Sequence, residues 1–332
     1  MDHGLCSRRT ALKALGGLAV AQAVAMTGET APTGEVKVKW SSGTERPKHK
    51  APPFATDCHH HIFDSRFPLA AKPSMLLGGD GNATVADYRT LQRRLGIERN
   101  VVVHAAGAYG TDNRSMLDAL AGFGPTARGI AVVDTNVSDA ELRHMDALGV
   151  RGIRVNLVFS GGVTMEMIQP LAHRIHELGW HLQVSMPAEA TVELKDVLPK
   201  LPTPIVFDHI ARIPPDPGIA HPAFKVVRGL IDKGRTWVKL SGAYLLSKVG
   251  PPTYADTGAV ARAFAQAAPE RMLWASNWPH PTEKSEKPDD ATLLDLLAEW
   301  VPDETVRKRI LVDNPEQVYG FPKSGTSVLR QG

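Results

Sequence analysis

Cysteine is nearly absent from the sequence: Cys6 and Cys58 are the two sulfhydryls in 332 residues. Cys6 falls in a stretch that reads as a removable leader, so the mature chain has no partner for an intramolecular disulfide. Dense basic runs are missing too, and the formal net charge is only +3. So scattered a charge excludes the electrostatic footprint of a nucleic-acid binder. Beyond the leader, no apolar run reaches the roughly 18 residues that a membrane span requires. Gly-rich punctuation between a strand and a helix is lacking as well. Gly78-Gly79-Asp80-Gly81 follows a loop, which makes it a poor dinucleotide-binding turn.

What is present begins with Ser7-Arg8-Arg9-Thr10-Ala11-Leu12-Lys13, a twin-arginine pattern, then a weakly apolar run from Ala14 to Ala25. That run closes on Ala23-Val24-Ala25, a small-residue cleavage signature. The expectation is a signal over residues 1–25, read by the twin-arginine export machinery and delivering a periplasmic or secreted protein. Its removal leaves a formal charge of +1. Residues 26–54, rich in Thr, Pro, Gly and Lys, have neither period and read as an extended arm wrapping over the domain.

From residue 55 to 322 short apolar runs alternate with amphipathic stretches, and residues 323–332 form a tail. The runs include Val101–Ala105, Gly129–Val133, Gly152–Leu157, His181–Val184, Ile205–Asp208, Trp237–Leu240 and Met272–Ala275. Continuous apolar runs suit strands buried on both faces, as in parallel sheets. Thr84-x-x-Asp87 and Ser138-x-x-Glu141 are capping boxes, and Leu178-Gly179-Trp180 reads as a helix stop. With the segment from Thr56 to Phe63, about eight strand–helix units predict an α/β fold, a closed (β/α)₈ TIM barrel. A doubly wound open sheet is the competing arrangement.

Barrel enzymes carry their chemistry at the C-terminal strand ends. Reading those positions yields Asp57-Cys58-His59-His60-His61, where His59 and His61, two apart, share one side of a strand. Two such imidazoles can bind a metal or polarise a carbonyl. Asp208-His209 ends another strand and Arg212 follows. Tyr109-Gly110-Thr111-Asp112-Asn113 is a polar loop suited to a hydroxylated substrate. Arg154 interrupts an apolar strand and must meet an anion, either a structural carboxylate or that of a substrate. Lys239 and Tyr244 mark the seventh strand, and Trp274-Ala275-Ser276-Asn277-Trp278-Pro279-His280-Pro281 the eighth.

These motifs, with Arg151-Gly152-Ile153-Arg154 and Asn314-Pro315, resemble the amidohydrolase-related barrels of the 2-pyrone-4,6-dicarboxylate lactonase and D-galactarolactone isomerase group over nearly all of residues 40–320. The resemblance implies that His59, His61 and His209 hold and polarise a lactone carbonyl and that Arg154 grips a carboxylate. It also puts Asn277 where the hydrolases have a water-activating aspartate. A neutral amide is no base at useful pKa, and Asn277 with Tyr244 resembles the isomerase branch. Met75, Ala106, Ser160, Ser185 and Leu245 replace polar, aromatic or arginine contacts of the dicarboxylate enzyme. A less carboxylated, sugar-acid-like lactone follows, with its hydroxyls at Tyr109, Asp112 and Asn113.

The reading from sequence is thus catalysis by His59, His61, His209 and Asn277. Arg154, Tyr109, Asp112, Asn113, Arg212, Lys239, Tyr244 and His280 would bind the small-molecule lactone. No metal is expected, since strand four offers Arg154 and strand eight Asn277 where metal-dependent relatives place ligands. One zinc-type ion on His59, His61 and His209 is the alternative. Lactone hydrolysis, lactone isomerisation by an internal hydroxyl, and a non-catalytic exported binder remain open, with Asp112, Glu189 or a histidine as candidate base.

Overall fold

The computed structural model describes residues 36–159 and 162–324. The leader, the start of the arm, Ser160 and the end of the tail lie outside the described residues. Eight strands follow one another: β1 Thr56–His60, β2 Arg99–Val103, β3 Ala127–Ala131, β4 Val150–Asn156, β5 His181–Ser185, β6 Ile205–Phe207, β7 Thr236–Leu240 and β8 Met272–Trp274. Each pairs in parallel with the next, in sequence order. The ring is drawn shut between its ends by two backbone bonds. His61 N donates to Trp278 O at 2.8 Å and Asn277 N to His59 O at 2.9 Å. The architecture is a (β/α)₈ TIM barrel, and the open-sheet arrangement is excluded.

The apolar runs bury both faces of the strands. Outward residues such as Val102, Ile153 and Val184 pack against the helices. Inward residues Val101, Val103, Ile130, Val206, Trp237 and Leu273 fill the lower barrel, closed from below by Tyr319 and Phe321. Burying each such side chain contributes about 1.5–3 kcal/mol. At Thr84 both halves of the capping box form, opening helix Val85–Leu95, where a cap of this kind is worth about 1 kcal/mol. At Ser138 the hydroxyl accepts from Glu141 N. Gly179, at φ 68°, ends the helix that precedes β5.

Residues 36–54 run without helix or strand and are pinned by side chains of the barrel. Trp278 Nε1 donates to Lys39 O at 2.8 Å. Buried Arg94 donates to Glu45 O, Ser42 O and Ser41 Oγ, and forms an ion pair with Asp289. The loop after β8 is therefore braced from outside by the chain's own start.

Candidate active site

The strand ends open on a small cavity whose polar lining is His61, Asn156, Arg154, Ser185, His209, Arg212, Asn277 and Thr282. Phe63, Met75, Ala105, Ala106, Phe159, Leu245 and Pro281 supply the apolar walls. No carboxylate is among the described residues that line it, so two guanidiniums make the interior electropositive. The replaced positions Met75, Ala106, Ser185 and Leu245 all stand on this wall.

His209 and Arg212 arrive on an unusual backbone. His209, Ile210, Ala211 and Arg212 hold φ values of 52°, 55°, 52° and 50°, a left-handed turn without glycine, costing roughly 1–2 kcal/mol per residue. Burial of Ile210 and Ala211 in the core offsets part of it. The neighbouring turn needs Gly242, at φ 62°, because a Cβ there would come within 3.0 Å of His209 Nδ1.

Beneath the cavity lies a buried ionic floor centred on Asp208. Its Oδ2 accepts from Arg154 Nε at 2.9 Å and from Gln183 Nε2 at 3.1 Å. Its Oδ1 lies 3.2 Å from Lys239 Nζ and 3.1 Å from His59 Nδ1. Burial alone would raise this carboxyl, but Lys239 and Arg154 hold it well below its usual range. Burial lowers Lys239, against the opposing pull of Asp208. Arg154 thus meets the structural anion with one nitrogen and still lines the cavity.

The imidazoles converge but differ in depth. His59 packs against His61 and His209 with ring centroids 4.8 Å apart in each case, yet it is fully buried and does not reach the cavity wall. His61 Nδ1 lies 2.8 Å from Val103 O. A carbonyl only accepts, so this nitrogen carries the proton and Nε2 keeps a lone pair. Burial, then Arg154, lowers His61 to about 3, which keeps the ring neutral. His61 lines the cavity, its ring proton is held by the backbone, and its Nε2 lone pair faces His59.

His59 Nε2 stands 3.1 Å from His61 Nε2. One proton must lie between these nitrogens, and His59 supplies it. Lys239 then has one acceptor for each ammonium proton: Gln183 Oε1 at 2.7 Å, His59 Nδ1 at 3.2 Å and Asp208. His209 Nδ1 meets Ser241 Oγ at 3.0 Å, and a hydroxyl donating there leaves an Nε2 proton for the cavity.

Several expected substrate contacts stand elsewhere. Tyr109 is buried, its hydroxyl exchanging hydrogen bonds with the backbone of Asp64. Asn113 spends its amide on Thr111 O and on both backbone groups of Val132. Asp112 is paired with Arg114. These three satisfy local backbone or a surface partner and do not line the cavity, which removes the hydroxyl-binding loop inferred from sequence. Lys239 lies in the floor. Tyr244 and His280 stand behind Asn277: Asn277 Nδ2 donates to Tyr244 Oη at 2.8 Å, and that oxygen lies 2.8 Å from His280 Nδ1. Glu189 is exposed. The apolar walls, Asp208, Gln183 and Ser241 were not among the expected site residues. Asp208 was visible in its motif and Met75, Ala106 and Leu245 through the resemblance, whereas Phe159 carried no signal.

Three possible metal ligands, His59, Asp208 and His209, have ligand atoms within 4.8 Å of one another. The expected set, with His61 in place of Asp208, does not gather so closely among the described residues. The carboxylate already holds Arg154 and Lys239, so a dication there would face two fixed cations and displace the hydrogen bonds that saturate both oxygens.

Buried neutral histidines also set the acid limit of the fold. Burial lowers His60, His61 and His181 to about 3 and His104 to about 4, and raises Asp57 to about 6. Depressed histidines stabilise the fold above their unfolded value near 6.5, and that stability drains as pH falls toward the folded values. Asp57 has the opposite sign: its contribution is present below the unfolded carboxyl value and is lost as pH rises through about 6. His59 and His209 are depressed in the same sense, so between pH 7 and 5 the histidines outnumber Asp57, unfolding takes up protons on balance and stability should fall as pH drops. Urea titrations at pH 7, 6 and 5 check this, and equal midpoints would sink it.

The sequence matches the amidohydrolase family model over residues 56–321. The chain is an enzyme of the amidohydrolase family. This amidohydrolase is 34% identical to a 2-pyrone-4,6-dicarboxylate hydrolase of Comamonas testosteroni over 292 residues, covering 84% of the chain and 94% of the relative. It is 32% identical to a D-galactarolactone isomerase of Agrobacterium fabrum, covering 85% of the chain and 96% of the relative. An apo crystal structure from Agrobacterium tumefaciens superposes with a TM-score of 0.78 at 30% identity, covering 86% of the chain and 100% of that structure.

Proposed function

We propose that this amidohydrolase opens a small anionic lactone by hydrolysis without a metal ion. The observation that carries the reading is the cavity lining: two guanidiniums, two imidazoles, two amides and, among the described residues, no carboxylate, set in apolar walls. Arg154 and Arg212 neutralise and orient a carboxylate or similar anion. His209 and the guanidiniums stabilise the charge that grows on the carbonyl oxygen as the ring is attacked. His61 Nε2 accepts the nucleophile's proton, in competition with the proton that His59 lends it at rest. Substrate charge assists, because an anion on Arg154 cancels one of the influences that depress His61.

Water suits this site better than a sugar hydroxyl. It has two protons for two acceptors, His61 Nε2 and the Asn277 amide oxygen, whereas the apolar walls offer little to a polyhydroxylated ring. Isomerisation is the second reading. It is favoured by the isomerase relative and by an amide at position 277, since an internal nucleophile needs only a weak base.

A panel of carboxylated lactones followed by NMR separates the two, ring-opened acid against ring-shifted product. Hydrolysis is the expected outcome, undiminished after exhaustive chelation, with Arg154→Ala raising KM by roughly 10–100-fold. Ring-shifted product alone would favour isomerisation. Activity lost to chelator and restored by zinc would overturn the metal-free reading.

A further inference from the structure

Behind Asn277 runs a buried line of hydrogen bonds that ends on a carboxylate, Asp290. The line reads Asn277 Nδ2 to Tyr244 Oη at 2.8 Å, Tyr244 Oη to His280 Nδ1 at 2.8 Å, and His280 Nε2 to Asp290 Oδ2 at 3.1 Å. His280 and Asp290 are fully buried, and the other Asp290 oxygen has no partner among the described residues. Asp290 is not spent on capping its helix. Asp289 does that, accepting from Ala291 N, and leaves Asp290 in the first turn, where the helix dipole favours a negative charge.

We propose that Asp290 is a positioning residue that decides which end of the Asn277 amide faces the reacting group. A carboxylate only accepts, so His280 Nε2 carries a proton. In a neutral ring Nδ1 is then bare and receives the Tyr244 hydroxyl proton, which leaves the phenolic oxygen to accept. Burial holds that phenol far above its ordinary range, so the proton stays on it. The acceptor at the far end of the line meets the Asn277 nitrogen. Both ends agree on one direction of proton donation, and the amide oxygen is turned to the cavity.

An amide has a donor end and an acceptor end of nearly the same shape, so packing alone cannot choose between them. A one-way chain of protons can. With the oxygen inward, Asn277 accepts a proton of the entering nucleophile. With the nitrogen inward it would compete as a donor with the nucleophile's own protons. The kinetic part of this inference rests on the lactone reading above, whereas the proton positions do not.

Neutron diffraction from perdeuterated wild-type crystals reads those positions directly. A deuteron on His280 Nε2, none on Nδ1, and the Asn277 ND₂ group toward Tyr244 are expected. Deuterons on both His280 nitrogens, or the amide reversed, would overturn the proposal whatever the substrate is. For kinetics, Asp290→Asn can present either a donor or an acceptor to His280 Nε2 and so no longer fixes the direction of the line. It should lower kcat by about 10-fold or more with KM within about twofold, the usual scale for losing a partner that orients a reacting group. In an Asn277→Asp background the carboxylate needs a donor from Tyr244, so the line must run the other way and the Asp290→Asn penalty should disappear or turn into a gain. An equal penalty in both backgrounds means a merely structural Asp290 and refutes the assignment.

Discussion

His61→Ala is expected to remove nearly all turnover, by about 10²–10⁴-fold in kcat, the range for loss of a positioned general base. The prediction follows from one contact, the 2.8 Å bond between His61 Nδ1 and Val103 O. That bond spends the only proton of a neutral ring on the backbone and leaves Nε2 a lone pair, which accepts from His59 at rest and from the nucleophile in the reaction proposed above. Among the described residues no carboxylate lines that cavity to take over. The loss should fall on kcat more than on KM, because the anion-binding guanidiniums are untouched. Far-UV circular dichroism and the melting temperature of the variant separate chemistry from misfolding. A folded His61→Ala protein that retains wild-type kcat would place the base elsewhere.

Lys239→Met should have the largest effect on stability, about 3–5 kcal/mol, because it strands part of a buried charge. Lys239 is the leading influence that holds Asp208 ionised against burial, and it donates to Gln183 Oε1 and His59 Nδ1 as well. Without it, the His59 proton shifts to Nδ1 to satisfy Asp208. Two bare Nε2 atoms then face each other across 3.1 Å. Turnover should fall together with stability. Urea denaturation measures the first effect, and an unchanged midpoint would mean that the Asp208 floor is not an ionised cluster.

The strands and the main histidines were legible in the sequence because their signals are local. A run such as Val101-Val102-Val103 can only be buried, and two histidines at spacing two must share a strand face. Depth was not legible. His59 and His61 look equivalent in the motif, yet one lies under the other, since barrel curvature and the neighbouring strands decide which ring reaches the cavity.

The Tyr109–Asn113 loop shows a second limit. Polar loop residues that serve backbone groups, as Asn113 serves Val132, carry the same letters as residues that serve a ligand. Met75 and Phe63 reach the wall through the long loop after β1, which has no period to read. The left-handed turn at His209–Arg212 defeats sequence reasoning for another reason: its residues, Ile210 and Ala211 among them, are types that ordinarily avoid that conformation.

The two backbone bonds that join His61 to Trp278 and Asn277 to His59 place the acceptor imidazole and the amide on opposite sides of a seam. One follows the first of the eight strands and the other follows the eighth. A nascent chain therefore holds neither partner in register until its final third has emerged and zipped onto the first. Recovery of catalysis after dilution from denaturant would then be a clock for ring closure, lagging the return of helical signal.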